Sequence, residues 1–78
     1  MASASQLKQA IESYQVLIAN YTLVRERLIV RRKGAADHIM VELDQRLKVN
    51  AQTIDALSRA VETTRERLKE IQPKKSDH

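Results

Sequence analysis

Between Met40 and Ile71 the chain repeats itself in sevens, with one set at Met40, Leu47, Ile54, Val61 and Leu68 and a second at Leu43, Asn50, Leu57, Thr64 and Ile71. Alternating steps of three and four are the a and d positions of a coiled-coil helix. Eight of these ten positions are apolar, while Gln45, Lys48, Gln52, Asp55, Arg59, Glu62, Glu66 and Lys69 all fall off the seam. A helix with one long apolar edge must bury it against another helix.

The upstream half supplies one. Ser3 with Gln6 has capping-box spacing and Ser5 is a second candidate N-cap, so a helix should begin within residues 3–6. Leu7, Tyr14, Tyr21 and Leu28 recur at seven-residue spacing, and Ala10, Ile11, Leu17, Ile18 and Val24 fill the steps between them. Arg25 and Arg32 interrupt this stripe near its end, where a long stem can cover apolar surface while the charge stays wet. The break follows at Lys33-Gly34-Ala35-Ala36-Asp37. Gly34 suits the left-handed position after a helix, Asp37 suits the N-cap of the next, and Arg31, Arg32 and Lys33 sit where a helix C-terminus favours cations.

A single continuous rod is the competing arrangement, and the register argues against it. Counting in sevens from Leu28 reaches Ala35 and Glu42, not Met40 or Leu43. The expected fold is therefore all-α, an antiparallel coiled-coil-like hairpin. It spans residues 5–72, with helix 1 over about 5–33, a turn at 34–37 and helix 2 over about 38–71, preceded by a cap at 1–4. Pro73 closes it, and 73–78 reads as a disordered basic tail. Its core should comprise Leu7, Ile11, Tyr14, Ile18, Tyr21 and Leu28 from the first helix, and Met40, Leu43, Leu47, Asn50, Ile54, Leu57, Val61 and Leu68 from the second.

Composition sharpens what such a chain can do. With 78 residues, one Gly, one Pro and no Cys, Trp or Phe, it has no disulfide framework, no Cys-built zinc site and no glycine-rich phosphate loop. Two helices alone sit near thermodynamic balance, so association is expected, completing a four-helix bundle with a second copy, most simply as a dimer, or with a helical partner protein. No charged and then apolar leader opens the sequence, and no apolar run approaches 18 residues. A cytoplasmic protein without membrane contact is the expectation.

Enzyme signatures are missing too: there is no nucleophile elbow, no Walker loop and no His-Glu-x-x-His, so neither catalysis nor a cofactor is expected. His38 and Glu42 share the i, i+4 spacing of two metal ligands without a third, so no metal is expected. Glu42-Leu43-Asp44 is similar to part of the Ser-Gln-Glu-Leu-Asp motif of small helical-hairpin phosphatases acting on sporulation response regulators. Met40 and Val41 stand where that family has Ser and Gln, and Leu43 is already a seam residue.

Three features point to binding. Arg25, Arg27, Arg31, Arg32 and Lys33 against Glu26 amount to a local +4, equal to the formal net charge of the whole chain. Such a patch near the turn reads first as a solvated helix end, favoured by the helix dipole, and otherwise suits a nucleic-acid backbone or an acidic protein. Val16, Leu23 and Val30, with Ala19 beside them, form a second apolar strip pointing away from the seam, a candidate partner interface. Asn50 at a d position is a candidate for fixing register and partner number.

The leading expectation is a non-enzymatic protein-interaction module, an adaptor, chaperone or inhibitor acting through coiled-coil packing. A nucleic-acid-binding hairpin dimer, in an arrangement similar to Rop-type plasmid copy-number regulators, is the alternative. In architecture, two helices around a Gly-containing turn, the chain also resembles the small hairpin co-chaperones of type III secretion needle subunits, which would imply a chaperone function.

Overall fold

The computed structural model describes residues 2–71; Met1, Gln72 and the expected tail at 73–78 lie outside the described residues. Two helices, α1 (Ala4–Arg32) and α2 (Asp37–Ile71), account for almost all of it, with no strand among the described residues. They fold back on each other, Asn50 of α2 reaching Tyr21 of α1 and Asp44 reaching Arg32. The molecule measures 61 × 19 × 17 Å. A continuous helix of about 70 residues would extend roughly 105 Å, so the fold-back replaces the rod.

Local chemistry sets each helix end. Ser3 is the N-cap of α1: its Oγ accepts from the Gln6 N–H at 3.2 Å, and the Gln6 side chain accepts from the Ser3 N–H at 2.9 Å. This reciprocal box satisfies two otherwise orphaned donors and starts the helix at Ala4, within the expected 3–6. At the other end Lys33 donates to the Val30 carbonyl and Ala35 to that of Arg32, both at 3.3 Å, so α1 tightens into three-residue turns before it stops.

The turn departs from the sequence expectation in two ways. Gly34 has no positive φ, and Lys33 before it is right-handed helical, so the chain leaves α1 without the left-handed cap for which glycine was the natural choice. A Cβ built on Gly34 would meet nothing within 4 Å. Asp37 is the first residue of α2 and not its N-cap; the Ala36 carbonyl accepts from Ile39 and Met40, both at 2.9 Å. The Asp37 carboxylate still lies in the first turn, where the helix dipole favours an anion.

The seam between the helices is thin. Leu7 and Leu28 of α1 and Leu43 and Val61 of α2 are its buried apolar side chains, Leu43 the deepest at 2% exposure. Ile11, Tyr14 and Ile18 opposite Met40, Leu47, Ile54, Leu57 and Leu68 are half-buried, in keeping with a two-helix contact open on both flanks. The two polar seam positions of α2 are accommodated differently. Thr64 bonds its hydroxyl back to the Ala60 carbonyl at 2.6 Å within its own helix. Asn50 is 6% exposed and donates its amide across the seam to the Tyr21 carbonyl at 3.0 Å.

That bond explains where the core differs from expectation. At the level of Asn50 the short amide approaches the α1 backbone, and the Tyr21 ring turns to the rim, 37% exposed, where its hydroxyl can reach water. Thr22 and Ile29, one position further round α1, become half-buried instead. Leu17 and Val24, placed on the inward stripe by spacing, are exposed on the flank, and Ile71 at the last d position is exposed as well.

Candidate interaction surfaces

The turn end is built from cations. Arg25, Arg27, Arg31, Arg32 and Lys33 are all exposed there, as the sequence implied. Arg32 is committed: its guanidinium grips the Asp44 carboxylate through two hydrogen bonds, Nε to Oδ1 and, at 3.3 Å, Nη2 to Oδ2, tying the last turn of α1 to α2. Arg46 likewise pairs with Glu42 one turn away at 3.1 Å. The patch offered to a ligand is therefore smaller than the count of basic residues suggests. Leu43 is buried and Asp44 is paired, so both have packing roles in the Glu42-Leu43-Asp44 run. Among the described residues no group of three or more His, Asp or Glu side chains could hold a metal, and His38 stands exposed.

The hydrogen bond to Arg32, with the attraction of its charge, holds the Asp44 carboxyl below its ordinary value, against a smaller opposing effect of burial. A carboxylate with a lowered folded-state pKa contributes stability at pH above its unfolded value, near about 3.9, and loses it as the pH falls through the lowered one. An NMR titration should find the Asp44 midpoint below that ordinary aspartate value. Arg32→Ala should bring it back up; a midpoint indifferent to Arg32 would contradict the pairing.

The flanks are more informative than the turn. The expected partner strip is exposed as read: Val16 at 60%, Leu23 at 52% and Val30 at 66%, with Ala19 exposed beside them on the back of α1. A shallow apolar groove on one flank of the hairpin was not foreseen. Tyr21, Val24 and Leu28 line it from α1, and Val49, with Arg46 and Asn50, from α2. Val49 is 51% exposed. With Val41 it is one of two exposed valines off the seam of α2, eight residues apart and outside the heptad repeat; only the fold-back sets it beside Val24. The opposite flank is mixed, its hollows lined by Ile18 and Val61 with Gln15, Glu62 and Arg65, and by Ile54 with Arg25, Asp55 and Ser58.

Fold and surfaces together define a small all-α helical hairpin with an amphipathic exterior. Comparison with protein-family models, curated proteins and solved structures gave no significant match. No helix among the described residues is long and apolar enough to cross a membrane.

Proposed function

We propose that the protein is a non-enzymatic helical interaction module, an adaptor, chaperone or inhibitor that works by packing its exposed apolar helix faces against another helical surface. One observation carries this: among the described residues nine large apolar side chains stand exposed, seven of them on the back of α1 or along one flank, whereas four apolar side chains are buried. Scattered surface aliphatics are ordinary, but here they gather at helical spacing on the back of α1 and along one flank. A chain this small, without disulfide or metal, gains what its own seam lacks by covering such faces. The two-helix architecture fits the hairpin co-chaperone resemblance equally well, and a cytoplasmic site of action accords with this reading.

Leu23 tests it. Leu23→Ser should leave helix content and thermal midpoint nearly unchanged, because the side chain contributes little to the hairpin seam, while weakening capture of the native helical partner by roughly tenfold or more, as expected for a well-placed apolar contact. Circular dichroism and a pull-down with the purified partner read the two effects. Loss of helix content would instead place Leu23 in the fold; unchanged capture would remove the back of α1 from the interface.

A further inference from the structure

We infer that the grooved flank is the self-association face of the protein, and that two copies meet through it antiparallel, with their turns at opposite ends. The inference deepens the interaction reading and rests on it.

Size complementarity is the first ground. On this flank the half nearer the turn carries bulk, Tyr21 and Val24 of α1 beside Val49 of α2, whereas helical spacing along the same two edges leads through Leu17 to Ala10 on α1 and to Ala56, Ala60 and Thr63 on α2 in the half nearer the open end. A two-fold axis across the middle of the hairpin, level with Leu17 of α1 and with Ile54 and Asp55 of α2, lays Val24 of each copy over Ala10 of the other and Val49 over Ala60. Large residues then enter the spaces that small ones leave, the condition for close helix packing. An axis along the hairpin would set bulk against bulk.

Charge gives the same orientation. Counting both helices, the turn half from Arg25 to Lys48 holds seven cations against Glu26, Asp37, Glu42 and Asp44, a local +3. Side-by-side turns would bring two such clusters together, within the screening distance of about 8 Å at physiological salt. Opposed turns hold their centres apart by about 36 Å, twice the helical rise from Leu17 to Ile29, far beyond that distance. On the opposite flank the apolar Ile18, Ile54 and Val61 are interrupted by the charged Arg25, Asp55, Glu62 and Arg65, whose desolvation would oppose burial there.

Area is sufficient. The hairpin measures 61 × 19 × 17 Å, so one flank along its length is a face on the order of 1,000 Å². A standard interface takes about 800 Å² from each partner. The back of α1, with Val16, Leu23 and Val30, stays free for a different protein.

Sedimentation equilibrium of the full chain across micromolar to submillimolar concentration should give twice the 8.9 kDa chain mass. Val24→Glu should return it to the chain mass with helix content kept; Val49→Glu on the other helix does the same and guards against a folding defect in either variant. Val30→Glu on the back of α1 should leave the doubled mass intact. The sequence has no Cys, so single cysteines report orientation: Ala56→Cys should oxidise to a linked dimer, while Gly34→Cys, whose side chain enters open space, should not. A mass that stays that of one chain, or crosslinking through Gly34→Cys in place of Ala56→Cys, overturns the inference. A monomer that still captures a helical partner through Leu23 would sink the dimer while leaving the interaction reading standing.

Discussion

Leu43→Ala is expected to cost about 2 to 5 kcal/mol, the range for removing a buried leucine side chain where neighbours close the gap incompletely. Leu43 is the most buried residue of the hairpin, at 2% exposure, and it lies beside the Arg32–Asp44 clamp near the turn. With four buried apolar side chains in the seam, none can compensate for the loss of the deepest. Marginal stability turns such a loss into a large fraction of the whole. Chemical denaturation followed by circular dichroism should show the midpoint falling sharply, or the variant unfolded without denaturant. A midpoint within experimental error of the parent would mean that the seam does not hold the hairpin together.

Asn50→Asp should be comparably damaging, at about 3 kcal/mol near neutral pH, by a different mechanism. The parent amide donates to the Tyr21 carbonyl from a site only 6% exposed. An ionised carboxylate there has no proton to donate and faces that carbonyl oxygen from a poorly solvated position, the most expensive form of an unmet polar group. Burial disfavours the charged form, so the introduced acid should hold its proton to higher pH than an ordinary aspartate. A protonated carboxyl can donate to Tyr21. The deficit relative to the parent should therefore shrink as the pH is lowered, and a deficit independent of pH would show that charge is not its cause. Asn50→Leu separates the hydrogen bond from the volume. The Asn50 Oδ1 atom is buried without a partner, so removing both polar atoms together should leave stability unchanged or raised. What the leucine removes is the one polar bond spanning the middle of the seam, so its cost should appear as alternative helix registers and not as unfolding.

The five-heptad run of α2 told almost everything about that helix, because a period of 3.5 residues over so long a stretch has one economical solution, a continuous helix with one buried edge. Leu43, Asn50 and Val61 are buried where the count placed them. The Ser3 and Gln6 box was legible for a similar reason: it is complete within four residues, and its hydrogen bonds need nothing from the rest of the chain. The exposed strip on the back of α1 could be read too, since exposure there follows from helical geometry once the seam is known. The turn was read less well. Glycine permits a left-handed cap without requiring one, and the chain closes the reversal with right-handed and three-residue turns instead.

What the sequence determined by itself was the number of helices, the edge each would bury and the point of reversal, all consequences of periodicity and of contacts between residues a few positions apart. The tertiary structure decided everything that depends on the two helices meeting at one particular level. Asn50 against the Tyr21 backbone turned a tyrosine out of the seam, Arg32 found Asp44 and left the basic patch, and Val49 came to rest beside Val24 to make a groove. None of these pairings leaves a mark on either helix alone, because the stagger between two packed helices is fixed by the fit of side chains across the gap and not by the repeat along each one.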